Sequence, residues 1–101
     1  MKTLNRDEII SYLRQLKPQL EKEGIDRIGL FGSFAKGRED LASDIDIVIR
    51  TTPLFVAKKK GIHAFLYLED LRNRLSAIFG RPVDISDEAG LKKPMEESIY
   101  A

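Results

Sequence analysis

Arg27-Ile28-Gly29-Leu30-Phe31-Gly32-Ser33 and, ten residues further on, Asp44-Ile45-Asp46-Ile47-Val48-Ile49 are the stretches on which the reading of this chain turns. The first is a short apolar run closed by Gly-Ser, the pattern of a buried strand that enters a turn. The second alternates. Ile45, Ile47 and Ile49 fall on one face of a strand, and Asp44, Asp46 and Val48 on the other. Thr51-Thr52-Pro53 breaks that strand. Between the two, residues 33–38 are small and polar, with Gly37 as a natural stop, and have room for a turn or two of helix.

Upstream, Ile9, Leu13, Leu16 and Leu20 recur at helical spacing. Asn5 or Asp7 is placed to cap that helix. Pro18 removes one backbone donor inside it, so a kink or restart is expected near Lys17, with a stop at Gly24. Downstream, residues 54–61 have no clear period and contain Lys58-Lys59-Lys60. Residues 64–79 form a second amphipathic stretch with Leu68, Leu71, Leu75 and Ile78 as its stripe, and Gly80 ends it. Val83-Asp84-Ile85 is a further short alternating strand whose Asp opposes its apolar neighbours. The tail, residues 93–101, is expected to add a last turn or two of helix from Pro94. Helix, strand, short helix, strand, helix, strand predicts a mixed α/β (α+β) fold. Its small mixed sheet carries the three Asp residues on one face, with helices packed on the other.

The 101 residues, 43% hydrophobic and 33% charged, fit one domain spanning 1–101 and hardly two. Seventeen basic against sixteen acidic side chains leave +1, so no global basic field points to direct nucleic-acid binding. The absence of Cys excludes disulfides, thiolate zinc sites and cysteine nucleophiles, and one His cannot build a multi-histidine metal site. The first residues are too charged for a signal peptide and no apolar run reaches membrane-spanning length. A cytoplasmic protein with no membrane partner is expected, its chemistry resting on Asp, Glu, Ser, Lys and Arg.

Asp44 and Asp46 project from one face with roughly 6–7 Å of strand rise between them. A divalent cation relieves the repulsion of two such carboxylates, and hard oxygen ligands suit Mg²⁺. Asp84 can complete the cluster; the alternative is three Asp residues that simply face solvent at strand ends. Gly32-Ser33 lets backbone N–H groups approach a phosphate; the alternative is an ordinary turn with Ser33 as a cap. The combination is more specific than either part. Gly-Ser, ten residues, then Asp-x-Asp should arise by chance in roughly one in a thousand chains of this length. Lys36 and Arg38 follow the turn closely enough to be candidates for touching a bound nucleotide.

These residues carry a resemblance. Leu30-Phe31-Gly32-Ser33-Phe34-Ala35-Lys36-Gly37, followed by Ser43-Asp44-Ile45-Asp46-Ile47, resembles the signature of the minimal nucleotidyltransferases of the DNA polymerase beta superfamily. The resemblance implies that Asp44, Asp46 and Asp84 are the metal ligands and catalytic carboxylates, and that Gly32 and Ser33 hold the nucleotide's phosphates. Where the family often has Arg, this chain has Lys36, which keeps the charge and loses the bidentate fork. The resemblance further implies ATP as substrate and a two-metal Mg²⁺ site, with Mn²⁺ as the alternative. It also implies an antitoxin whose partner is a small helical HEPN-domain ribonuclease toxin, silenced by transfer of AMP onto a tyrosine. A chain this short is expected to have no separate acceptor-binding domain, which favours a protein acceptor; whether it forms a homo- or hetero-oligomer is left open by the sequence. Two other readings stay open: an antitoxin that acts by binding alone, and a small-molecule nucleotidyltransferase. His63, the lysine triplet, Tyr12, Tyr67 and Tyr100 read most simply as surface or edge-of-core residues.

Overall fold

Asn5 starts the first helix. Its Oδ1 accepts from the Glu8 N–H at 2.9 Å, capping a first-turn donor, while its Nδ2 donates to Glu8 Oε1 at 3.0 Å. In the computed structural model, which describes residues 5–32, 35, 44–89 and 98–101, this helix is α1 (Arg6–Lys22). It runs through Pro18 without restarting. The reason lies in exposure: Pro18 and Arg14 both face solvent, so water can serve the carbonyl of Arg14 that the proline leaves unbonded. Ile9, Leu13 and Leu20 bury the opposite face, and Leu16 packs beside them.

The chain then builds β1 (Ile25–Phe31), β2 (Ile45–Thr51), α2 (Pro53–Lys58), α3 (Ile62–Phe79), β3 (Val83–Asp87) and β4 (Ile99–Tyr100). The sheet is mixed, in the order β3-β2-β1-β4. β1 pairs antiparallel with β2 and with β4, whereas β2 and β3 are parallel, so α2 and α3 form the crossover that parallel pairing requires. A cross-strand fork fixes the start of β1 against the end of β2. Arg50 donates through Nε and Nη2 to the two Asp26 oxygens, at 2.8 and 2.7 Å.

Ile45, Ile47 and Ile49 lie fully buried with Ile28, Leu30, Ile9, Leu13, Leu71 and Leu75 in one cluster. Each such side chain contributes roughly 1.5–3 kcal/mol by leaving water. Three expectations need correction. Ile78 is half-exposed and is not part of the α3 stripe, which is Leu68, Leu71 and Leu75. Residues 54–58 lie in α2, where Pro53 supplies the first-turn φ and Phe55 the buried anchor. Ile99 and Tyr100 are an edge strand rather than a helical tail, because β1 offers them a free ladder. The expected helix within residues 33–38 and the helix start at Pro94 lie outside the described residues.

Candidate active site

The register of the sheet decides which carboxylates meet. Phe31, the last residue of β1, is the antiparallel partner of Asp46 on β2. On the other side, Asp46 is the parallel partner of Asp84 on β3. Asp46 and Asp84 therefore emerge on one face of adjoining strands, and Asp44, two residues earlier, shares that face by alternation. Asp46 is partly buried, whereas Asp44 and Asp84 are exposed. Burial first, and then the negative charges of Asp84 and Asp44, raise the Asp46 carboxyl above its ordinary value. Its ionised form is the one the site disfavours.

Gly32 follows immediately. Its φ of 75° is a backbone conformation that glycine adopts freely. A Cβ built there would overlap Asp46 Oδ2 and lie 3.2 Å from its Cγ. The glycine of the turn therefore makes room for the central carboxylate. Ala35 is buried, and its carbonyl accepts from Arg6 Nη1 at 3.0 Å. The first residue of α1 thus holds the Ala35 carbonyl. Ser33, Lys36 and Arg38 lie outside the described residues.

Two residues of this region escaped the reading of the sequence. Arg6 is 29 positions from Ala35, and no local pattern announces such a pairing. Arg72, on α3, is forked to Glu69 through Nη2–Oε2 at 2.8 Å. Its charge is held up first by Glu69 and also by Asp84, so a guanidinium lies within electrostatic reach of the third carboxylate. A lone Arg between core positions carries no signal of that kind. His63 is exposed in the first turn of α3. The lysine triplet is not one solvated loop. Lys59 pairs with Glu23 and lies over the Tyr67 ring at 4.5 Å, while Lys58 donates to the Lys22 carbonyl at 2.9 Å.

The three aspartates fit a hard divalent cation in donor chemistry and in charge: all are oxygen donors, and the central one is destabilised by its like-charged neighbours. They are not a ready-made cage. Among the described residues, no three acidic, imidazole or thiol groups converge closely enough to hold an ion. Asp44 and Asp84 are exposed on either side of Asp46, so a cation would gather the ligands.

A mixed sheet with Asp44 just before β2 and Asp46 within it, a third aspartate on the parallel neighbour and a glycine turn against Asp46 fits the nucleotidyltransferase class. The chain belongs to the Nucleotidyltransferase domain family, which it matches over residues 7–100. It is similar to the protein adenylyltransferase MntA of Thermococcus cleftensis, at 30% identity over 100 residues, 98% of this chain and 93% of that protein. It is also similar to the putative protein adenylyltransferase MJ0141 of Methanocaldococcus jannaschii, at 36% identity over 56 residues, 52% of this chain and 57% of that one. Among solved structures it resembles a chain in the crystal structure of a toxin–antitoxin with AMP-PNP. The TM-score there is 0.51 at 30% identity, and the match covers 83% of this chain and 57% of that chain. None of the described helices is long and apolar enough to cross a membrane.

Proposed function

We propose that this chain is a metal-dependent protein adenylyltransferase that transfers AMP from ATP to a hydroxyl, a tyrosine in our reading, of a HEPN-type ribonuclease toxin, and so acts as its antitoxin. The observation that carries the reading is the register that aligns Asp46 with Asp84 while Gly32 clears space for the Asp46 carboxylate. In this reading Asp44, Asp46 and Asp84 hold Mg²⁺, or Mn²⁺ in its place. The bound cation neutralises the triphosphate and favours the ionised acceptor oxygen. Gly32 and Ser33 present backbone N–H groups to the phosphates, with Lys36 and Arg38 beside them, and Arg6 holds the Ala35 carbonyl. The acceptor oxygen attacks the α-phosphorus, its bond to the pyrophosphate oxygen breaks, and the hydroxyl proton leaves to a carboxylate, for which we assign Asp84. Such a transfer needs mostly positioning and charge neutralisation. That the relatives are named protein adenylyltransferases, and that the structural neighbour comes from a toxin–antitoxin holding an ATP analogue, supports this choice of donor and acceptor.

A second reading, an antitoxin that works by binding alone, draws on the absence of a preassembled three-ligand cage among the described residues. One measurement separates the two. A HEPN-type toxin co-expressed with this chain as its candidate partner is incubated with it, ATP and Mg²⁺, and the toxin's intact mass is recorded, using wild type and Asp44→Asn/Asp46→Asn. The expected result is an added AMP mass that disappears in the double variant. An unmodified toxin that is bound and harmless with both proteins would establish binding as the whole function.

A further inference from the structure

The face of α3 turned away from the core is not the polar surface that a solvated helix presents. At about 100° per residue, Tyr67, Leu68, Leu71 and Leu75 lie on one side, buried or partly buried. Ile62, Phe65 and Leu66 lie on the opposite side at spacings of three and four, and are 66%, 62% and 52% exposed. The preceding helix, α2, exposes Leu54 and Val56 as well. Isolated exposed apolar residues are ordinary, but a helical stripe of three large ones is the mark of an interaction surface.

Charge along the stripe is uneven. At its C-terminal end the carboxylates are already answered from within the helix: Glu69 by Arg72 at 2.8 Å and Asp70 by Arg74 at 3.0 Å. At its N-terminal end Lys60 is exposed, and Lys58 donates to a carbonyl and lies near Glu23, a carboxylate already paired with Lys59. The stripe thus runs from a net positive end to a neutral one. A second copy of this chain packed on the same face with the two helices parallel would bring like charges together.

We infer that Ile62, Phe65 and Leu66 are the docking stripe for the toxin. It would seat an amphipathic toxin helix whose acidic residues meet Lys58 and Lys60, in the helix-to-helix mode read as anchors at i, i+3 and i+4. The inference rests on the antitoxin reading above. α3 packs on β3, the strand that carries Asp84, so a partner held by α3 is held to the element that presents the third carboxylate.

The test measures binding of full-length chain to that same toxin by calorimetry at low and high salt, alongside sedimentation of the free chain. Phe65→Ser/Leu66→Gln removes the anchors, and Lys58→Glu/Lys60→Glu reverses the charged end; Asp44→Asn/Asp46→Asn serves as the control. Buried aromatic and aliphatic anchors dominate such interfaces, so the first variant should bind at least tenfold more weakly with an unchanged circular dichroism spectrum. The charge reversal should weaken binding chiefly at low salt, and the carboxylate variant should bind like wild type. Toxin bound equally by wild type and by both surface variants would overturn the docking site while leaving the transfer reading intact. So would a dimer of the free chain that dissolves in Phe65→Ser/Leu66→Gln without loss of toxin binding. A toxin neither bound nor modified by wild type would overturn the antitoxin reading itself, and this inference with it.

Discussion

Gly32 is easily assigned to phosphate contact alone, yet its closest relation in the fold is to a side chain, Asp46. Alanine at that position would carry two penalties. A φ of 75° costs an L-residue roughly 1–2 kcal/mol, and the new Cβ would push the Asp46 carboxylate aside. Gly80 offers the matched control, because its φ is 70° and a Cβ there would meet nothing within 4 Å. We expect Gly32→Ala to lower the rate of AMP transfer at least a hundredfold, the scale on which a displacement of about 1 Å acts in an active site. Gly80→Ala, which carries only the first penalty, should lower the melting temperature less and leave the rate near wild type. Equal rates for the two variants would show that Gly32 matters only as a turn. At this scale the aspartates were legible, because apolar neighbours on either side fix the face of Asp46 and of Asp84, and alternation from Asp46 fixes that of Asp44. The seating of Asp46 by Gly32 and the tether from Arg6 to Ala35 were not, since both depend on strand register and on contacts distant in sequence.

Elements with an apolar face long enough to show a period were readable: α1, most of α3, and the strands that supply Ile28, Leu30 and Ile45 to Ile49. Two features were not. Pro18 disturbs the local argument for α1, yet the buried residues on both sides of it, Leu13 and Leu20, hold the helix together. β4 has two residues, too few to display alternation, and it owes its strand form to β1. Side chains lock it there. Tyr100 donates from its hydroxyl to Glu88 Oε2 at 2.8 Å, Arg27 pairs with Glu88 Oε1 at 3.2 Å, and the Arg27 guanidinium lies 4.7 Å from the centre of the Tyr100 ring. Glu88 is 4% exposed, so a partner removed there is not replaced by bulk water. Tyr100→Phe should therefore cost about 1–3 kcal/mol, which for a domain of this size lowers the melting temperature by several degrees. It should also speed hydrogen exchange of the Ala101 amide, which donates to the Ile28 carbonyl at 2.8 Å. Unchanged exchange and melting would mean that Arg27 alone satisfies the carboxylate and that backbone pairing alone holds β4.

Across the molecule, the apolar cluster on the helical side of the sheet supports a charge cluster that works against stability. The Asp46 carboxyl is raised by burial and by Asp84 and Asp44, and the sign of the consequence follows. Below the unfolded carboxyl value of about 3.9 the group is protonated in both states and costs nothing. As pH rises from there through the folded value, the native state holds its proton longer than the unfolded chain does, so stability falls. Above the folded value the cost is complete. Without divalent cation at pH 7, Asp46→Asn should thus melt a few degrees higher than wild type, and the difference should close as pH falls below about 4. Cation binding reverses the order. A ligand bound only by the native state at a hundredfold excess over its Kd stabilises by about 2.7 kcal/mol, and Asp46→Asn should forgo most of that. Thermal melts at pH 4 and pH 7, each with and without Mg²⁺, test both halves at once, since wild type should overtake the variant only at pH 7 with Mg²⁺ present. If Asp46→Asn melted below wild type at pH 7 without cation, the carboxylate would be stabilised by the fold. If Mg²⁺ raised both proteins equally, the cation would bind somewhere other than beside Asp46.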